Sequence, residues 1–272
     1  MVNYSQRKFI ASTIKVNYVE GPDNGPPVLL IHGIGGFWEN WSSVIDELAT
    51  NWHVYAIDLR GHGDSGRTPG EYRFIDYPIE IIEFLKNIIT EPTFLIGHSL
   101  GAVAASGVCA VTPNLVAAAV LEDPPLYVEQ TDKFKSLLEL RQQNLSVEQN
   151  IIELRKIYEN ASNNMIERRA IAIYKVDPEV WIPTLEGGIA ELWDPNAVLS
   201  EITTPTLLLQ ANPDKGSVLS DSQTDQAINL LANGRLVKWE DVGHGMHEAQ
   251  PDRFIQLVNA YFNQILKKQA KN

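Results

Sequence analysis

Residues 93–105 read TFLIGHSLGAVAA, and this stretch decides the fold. A short apolar run leads into the pentapeptide Gly97-His98-Ser99-Leu100-Gly101, and a small, alanine-rich run with helical character follows it. The pattern G-x-S-x-G between a strand and a helix is typical of a tight turn that presents a serine nucleophile above a sheet. Both glycines are needed because bulkier residues two positions before or after the serine would collide at the strained turn. We therefore predict that Ser99 is a nucleophile on a strand–helix turn.

Further strands and helices alternate on both sides of this turn. Short apolar runs predict buried strands at 27–32, 52–58, 116–121, 206–210 and 236–239. Apolar residues at helical spacing predict helices at 41–49, 78–89, 100–111 and 252–267. Residues 9–20 add two extended runs that predict an opening hairpin. Strands that alternate with helices indicate an α/β fold with a mostly parallel sheet covered on both faces.

One long segment breaks this alternation. From Pro124 to Ser200 there is no convincing strand, and helical periodicity appears at 134–144, 147–159 and 164–174. A connection of this length does not fit inside a compact core. We expect an α/β core formed by residues 1–123 and 201–272, with residues 124–200 inserted as a helical cap between two core strands.

Charge and cysteine content limit the possible partners. The chain has 22 basic and 34 acidic residues and a net charge of −12, so nucleic acids and anionic membrane surfaces are disfavoured partners. The single cysteine, Cys109, allows no internal disulfide and is compatible with a reducing compartment. Residues 1–8 lack the apolar core of a signal peptide, and no apolar run approaches the ~20 residues that span a bilayer. We expect a soluble, cytoplasmic protein.

A glycine-rich loop, His32-Gly33-Ile34-Gly35-Gly36, follows the predicted strand at 27–32. A dinucleotide site is not indicated, because the G-x-G-x-x-G spacing and the acidic residue on the next strand are both missing. In a serine hydrolase such a loop supplies backbone N–H groups to the oxyanion of the reaction. We expect the N–H groups of Ile34 and Leu100 to form this oxyanion hole, each worth typically ~3 kcal/mol in the transition state.

Four motifs in order resemble the α/β-hydrolase superfamily, in particular its branch of single-domain esterases, C–C hydrolases and perhydrolase-like enzymes. They are His32-Gly33-Ile34-Gly35, Asp58-Leu59-Arg60-Gly61-His62-Gly63-Asp64-Ser65, Gly97-His98-Ser99-Leu100-Gly101 and Val242-Gly243-His244. Together they span nearly the whole chain outside the cap. The resemblance implies a mostly parallel, doubly wound eight-stranded sheet with the cap inserted after the sixth strand. We interpret the second motif as a structural loop, because its residues are crowded into one turn.

The resemblance also implies the partners of Ser99, in the chain order nucleophile, acid, histidine. Of the six histidines, His244 lies on the loop after the last strand, where the family places its base, and His247 is interpreted as a hydrogen-bonded residue near the final helix. Two acids are candidates. Asp214 follows the strand at 206–210 and matches the family's usual position, so it is preferred. Asp123 ends an earlier strand and is the alternative acid, because some branches of the family use an acid there.

Aromatic and apolar residues near the glycine-rich loop and the cap predict the substrate pocket. They suggest an apolar site beneath the cap, formed by Phe37, Trp38, His98, Leu126, Tyr127, Trp181 and Trp193. No arginine or lysine is clearly placed to bind a substrate carboxylate, although Arg168 and Lys175 in the cap remain open.

The favoured function is a carboxylesterase-like serine hydrolase that forms an acyl-enzyme on Ser99 with small to medium, mainly apolar esters. A lactonase or a C–C bond hydrolase with the same triad is the alternative enzyme. A receptor that binds its ligand and turns it over slowly is the alternative of another class. We expect a small-molecule ester or lactone substrate, no cofactor, no metal, and a monomer or small homo-oligomer.

Overall fold

The structure is a computed structural model that describes residues 2–12, 14–128, 130–159 and 161–270. Some predicted segments, such as the hairpin at 9–20 and the cap at 124–200, include positions that are not described. These positions are Met1, Thr13, Glu129, Asn160 and residues 271–272. Eight strands form one sheet in this part of the chain. They are β1 (Ser5–Ile10), β2 (Lys15–Glu20), β3 (Pro27–Ile31), β4 (His53–Ile57), β5 (Thr93–His98), β6 (Val116–Glu122), β7 (Thr206–Ala211) and β8 (Gly234–Trp239).

The strand order across the sheet is β1-β2-β4-β3-β5-β6-β7-β8. The hairpin β1–β2 pairs in antiparallel fashion, β2 is antiparallel to β4, and every pair from β4 to β8 is parallel. Parallel neighbours end at one edge, so the loops after β3, β5, β6, β7 and β8 converge there. The predicted fold, a mostly parallel eight-stranded α/β-hydrolase sheet, is confirmed.

Both faces of the sheet are covered, and the strand sequences show why. In β3, Leu29 and Ile31 belong to one apolar cluster, and Val28 and Leu30 belong to the other. Successive side chains of a strand point to opposite faces, so a run of four apolar residues supplies both layers. Among the described residues outside 124–200, the α-helices are α1 (Ile45–Leu48), α2 (Pro78–Phe84), α3 (Leu100–Val111), α9 (Asp221–Leu230), α10 (Met246–Ala249) and α11 (Pro251–Gln269).

The segment between β6 and β7 contains helices and turns, and its described residues form no strand. The helices are α4 (Lys135–Gln142), α5 (Val147–Ile157), α6 (Asn163–Lys175), α7 (Ile182–Glu186) and α8 (Pro195–Glu201). We call residues 124–200 the cap segment, and their division from the core as a separate domain stays a prediction. Within the described residues, no helix combines the length and the apolar character needed to cross a membrane.

Two of the predicted helices are not regular α-helices over their whole predicted length. The helix expected at 41–49 is a 3₁₀ turn, Trp38–Ser43, followed by α1. The helix expected at 78–89 is regular only to Phe84 and widens into a π turn, Leu85–Ile89, before it ends at Thr90 with φ of 62°. Both helices bury an apolar face, which the sequence spacing detects, whereas the local hydrogen-bond pattern depends on packing that the spacing does not reveal.

Candidate active site

Ser99 lies on the turn between β5 and α3 in a strained conformation, with φ of 53° and ψ of −119°. Its backbone N–H donates to the carbonyl oxygen of Glu122, 2.9 Å away, which ties the turn to the end of β6. A Cβ added to Gly97 would lie 2.4 Å from the carbonyl oxygen of Gly101, and one added to Gly101 would lie 2.1 Å from the carbonyl oxygen of Ile31. The steric need for both glycines therefore follows from the backbone on either side of the serine.

His244 approaches this turn from the loop after β8, and its partner is Asp123. The His244 Nδ1 atom lies 2.7 Å from Asp123 Oδ2. The Asp123 side chain is fully buried, whereas the His244 side chain is 30% exposed and so reaches the cavity. An ionised carboxylate can only accept, so Nδ1 carries the proton and Nε2 is the ring nitrogen able to take another.

Further donors hold the Asp123 carboxylate in place. The Ser217 hydroxyl donates to Oδ1 over 2.6 Å, and the backbone N–H of Val218 donates to Oδ2 over 3.0 Å. The backbone N–H of Ala211 adds a longer contact of 3.4 Å to Oδ1. Two of these donors come from the loop after β7, so this loop folds back over the end of β6. The arrangement stabilises a buried carboxylate and fixes the orientation of the His244 ring.

The structure contradicts the preference for Asp214 as the partner of His244. Asp214 is exposed and lies in a short 3₁₀ turn, Pro213–Lys215, just after β7. Asn212 caps this turn by accepting from the Asp214 backbone N–H over 2.8 Å, and the proline in the first position fixes its start. The turn carries Asp214 toward solvent, and Ser217 and Val218 then return to Asp123. Lys215 binds the carbonyl oxygen of Asp241 over 2.9 Å rather than either acid.

A second acid–histidine pair lies beside the first. The fully buried Glu122 carboxylate contacts Nδ1 of His247 at 2.8 Å and accepts from the His247 backbone N–H at 2.9 Å. Burial opposes the charged form of each group, but their mutual attraction outweighs it, so the pKa of Glu122 is lowered and the pKa of His247 is raised. Glu122 at the end of β6 thus holds a histidine of α10, and the next residue, Asp123, holds His244 in the loop just before that helix.

His98 also positions the loop that carries His244. Its Nε2 atom lies 3.2 Å from the carbonyl oxygen of His244, and the two rings are 4.6 Å apart between centroids. Burial lowers the pKa of His98 to about 3, so its ring is neutral and donates from Nε2 to this carbonyl. His98 therefore orients the main chain of His244, in addition to lining the cavity.

The glycine-rich loop after β3 is held by two neutral histidines. The backbone N–H of Gly35 donates to His62 Nε2 over 3.0 Å, while His62 Nδ1 donates to the carbonyl oxygen of Arg60 over 2.7 Å. His32 accepts from the backbone N–H of Leu59 in the same way, over 3.0 Å. The N–H groups of Ile34 and Leu100 donate to no acceptor among the described residues, and both residues line the cavity. These are the two N–H groups expected to form the oxyanion hole.

Acid should weaken this loop through His62. Burial lowers the pKa of His62 to about 4, well below the 6.5 of an unfolded histidine. The unfolded chain therefore binds the proton first, and the stability that neutral His62 provides is complete above pH 6.5 and falls between pH 6.5 and about 4. We expect His62→Gln to remove about 2 kcal/mol of this pH-dependent loss.

Urea unfolding at pH 7 and pH 4.5 checks this expectation. The free energy of unfolding should fall more steeply with acid in the wild type than in H62Q. Other buried groups, such as His98 and Asp58, are present in both proteins and cancel in the comparison. Equal slopes in the two proteins would contradict the role given to His62.

Ser99 and His244 face one cavity of about 550 Å³. Its core side consists of the glycine-rich loop, the serine turn and the loops after β7 and β8. Its outer side comes from the cap segment, including the residues around Tyr127 and the face of α6 from Met165 to Ala172. The volume suits one small or medium organic molecule.

Of the predicted pocket residues, His98 and Tyr127 line this cavity. The others do not line it, because they pack against other side chains or are buried in the interior. Trp181 is buried against Gly35, Trp193 packs against Phe74 with ring centroids 6.0 Å apart, and Trp38 packs against Tyr4 at 6.5 Å. Phe37 and Leu126 are buried in the interior.

The cavity also contains residues that sequence reasoning missed, among them Phe74, Phe134, Met165 and Arg169. Arg168, left open from the sequence, lines the cavity as well. Lys175, the other cation left open, pairs with Asp64 at 2.8 Å. The sequence does contain a pattern that predicts some of these lining residues. Positions 165, 168, 169 and 172 have the spacing of neighbours on one face of a helix.

Comparison with known proteins identifies the family to which the sequence belongs. Residues 28–257 match the alpha/beta hydrolase family. A curated relative, (E)-2-((N-methylformamido)methylene)succinate hydrolase of Acinetobacter baylyi, is 34% identical over 92 residues, which are 34% of this chain and 35% of the relative. The match to that relative therefore spans about a third of its length.

Solved structures agree in fold. The crystal structure of E-2-(acetamidomethylene)succinate hydrolase superposes with a TM-score of 0.80 at 20% identity, covering 96% of this chain and 100% of that one. The enol-lactonase of Burkholderia xenovorans LB400 superposes with a TM-score of 0.76 at 14% identity, covering 94% and 100%. The family match begins within β3 and covers the sheet from there to β8, the serine turn and the loop of His244. This chain is a member of the alpha/beta hydrolase family.

Proposed function

We propose that the protein is a serine hydrolase that cleaves carboxylic esters through an acyl-enzyme on Ser99. The observation that carries the proposal is the contact between His244 Nδ1 and the buried Asp123 carboxylate, on a loop that faces the same cavity as the strained Ser99 turn. An acid of this kind fixes the histidine tautomer and stabilises the imidazolium that forms during attack.

The proposed reaction gives each of these groups a role. His244 Nε2 removes the proton of Ser99 as the hydroxyl oxygen attacks the substrate carbonyl. The N–H groups of Ile34 and Leu100 stabilise the negative oxygen of the tetrahedral intermediate. His244 then gives its proton to the leaving alcohol, and a water molecule, activated by the same histidine, releases the acid from Ser99.

A lactonase is the second candidate. A lactone is an internal ester and requires the same nucleophile, base and oxyanion hole. It is favoured by the fold shared with an enol-lactonase. The two functions differ in whether the alcohol leaves the cavity or stays attached to the acyl chain.

A panel of p-nitrophenyl esters with acyl chains from acetate to octanoate tests the proposal, together with dihydrocoumarin as a lactone and a vinylogous diketone as a C–C substrate. We expect turnover of the short and medium esters above the rate of the S99A protein. Cleavage of the lactone or the diketone without ester cleavage would favour the alternative enzymes. Tight ligand binding by folded protein with negligible turnover of every substrate would indicate a receptor and contradict the proposal.

A further inference from the structure

One face of α6 points into the cavity. Met165, Arg168, Arg169 and Ala172 line it, and their spacing of three, one and three residues is that of neighbours on one side of a helix. A cap helix that only closed over an apolar substrate would present apolar residues along this stripe. Two adjacent arginines at its centre require a different explanation.

The charge of the cavity wall is opposite in sign to that of the whole chain. Among the described residues, the lysine, arginine, aspartate and glutamate side chains that line the cavity are Lys133, Arg168, Arg169 and Glu248. Three cations thus face one carboxylate in a chain whose net charge is −12. A strongly acidic protein repels anions at long range, so a cationic wall inside its cavity matters for what binds there.

The two arginines have different surroundings. Arg168 connects the cap segment to the core, since its guanidinium contacts Glu248 at 3.3 Å and also the Ser42 hydroxyl. The Arg169 guanidinium lies over the Tyr158 ring, 4.6 Å from its centroid. No carboxylate of the described part of the chain lies within 4.0 Å of the Arg169 guanidinium. Stacking on an aromatic face leaves the edge of a guanidinium, with its N–H donors, open to a ligand.

We infer that Arg169, with Lys133 at the exposed edge of the cavity, binds a free carboxylate on the substrate. The inference rests on the proposed function and narrows it: the substrate is an ester or related acyl compound that carries a second, ionised carboxyl group. The planar fork of N–H groups on a guanidinium matches the two oxygens of a carboxylate. Arg168 serves as a positioning residue, because its own charge is already matched by Glu248.

Paired substrates test the inference. Mono-p-nitrophenyl esters of adipic, pimelic and suberic acid carry a terminal carboxylate, and their terminal methyl esters are neutral counterparts of similar shape. For at least one chain length, we expect the wild type to favour the anionic ester by about 10- to 100-fold in kcat/KM, mainly through KM, as a charged hydrogen bond would give.

Variants assign this preference to Arg169. R169Q should lower the ratio of kcat/KM for the anionic ester to kcat/KM for the neutral ester about tenfold or more. R169K should keep part of the wild-type preference, because lysine retains the charge but not the planar fork. R155Q is the matched control, because Arg155 is an exposed arginine on the neighbouring helix α5 and does not line the cavity. It should leave the ratio unchanged. A wild type without preference, an unchanged ratio in R169Q, or an equal loss in R155Q would overturn the inference.

Binding to the S99A protein separates this inference from the proposed function, because it requires no turnover. By calorimetry, adipate should bind S99A at least about tenfold more tightly than dimethyl adipate does, and the added R169Q change should remove the difference. This result would support the carboxylate site even if no ester were cleaved. Equal affinity for the charged and the neutral compound would overturn it even if esters were cleaved.

Discussion

The S99A protein should lose ester hydrolysis by a factor of ~10⁴ to 10⁶ in kcat, down to the rate supported by binding and the oxyanion hole alone. The loss is large because the hydroxyl of Ser99 is the proposed nucleophile that forms the acyl-enzyme, and alanine has no group to replace it. Alanine and serine tolerate the positive φ of 53° equally poorly, so the turn should keep its shape. Steady-state kinetics on a p-nitrophenyl ester measures the effect.

Ser106 provides the matched control for S99A. It is a buried serine on α3, and its hydroxyl donates to the Val103 carbonyl oxygen over 2.7 Å. Because Ser106 does not line the cavity, S106A should keep kcat within a few-fold of the wild type. An S99A protein with normal turnover and an unchanged thermal melt would show that another group is the nucleophile.

Replacing Asp123 with asparagine should lower kcat by ~10³ to 10⁴. An amide in place of the carboxylate can present N–H toward His244, which favours the tautomer with the proton on Nε2. That tautomer cannot accept the proton of Ser99, and the neutral amide no longer stabilises the imidazolium. The expected loss is mostly in kcat, since the residue lies behind the histidine and is fully buried.

Asp214→Asn is the control that separates the two acids. Because Asp214 is exposed on its own capped turn, D214N should retain kcat within about threefold, in the range of ordinary surface substitutions. Thermal melts of both variants check folding, since D123N also weakens contacts with Ser217 and Val218. Loss of activity in D214N with normal activity in D123N would restore the preference drawn from the sequence.

The sequence predicts the parts of the site that depend on backbone geometry. The pentapeptide at 97–101 predicts both the strained serine turn and the strand and helix that flank it, because these glycine positions admit no side chain. Helix α3 begins and ends at the predicted residues, 100 and 111. The apolar runs predict the central strands, because strands buried on both faces have no polar positions to interrupt the pattern.

The sequence does not predict contacts that depend on how loops fold over one another. Asp123 and Asp214 both follow strands that end at the same edge of the sheet, so strand position alone cannot distinguish them. The Asn212–Pro213 cap turns one acid outward, while Ser217 and Val218 return to the other. The cap is a local feature of three successive residues, whereas the path of the returning loop depends on tertiary packing.

The pocket shows the same division between local pattern and tertiary packing. Large aromatic residues near the site, such as Trp181, were natural candidates for a ligand wall, but they fill the space between cap and core. The wall instead includes α6, whose orientation follows from packing of the whole cap segment. On the inference drawn above, Arg169 on this helix changes the expected substrate from a mainly apolar ester to one that also carries a carboxylate.

Labelling with a fluorophosphonate tests the central claim most directly, because the probe reacts with a serine only when a nearby base activates it and an oxyanion hole holds the phosphoryl oxygen. We expect one adduct per chain in the folded wild type, located by peptide mass spectrometry on Ser99, and a much slower reaction in H244A and D123N. Absence of labelling in the folded wild type, or an adduct on another residue at full rate, would contradict the account.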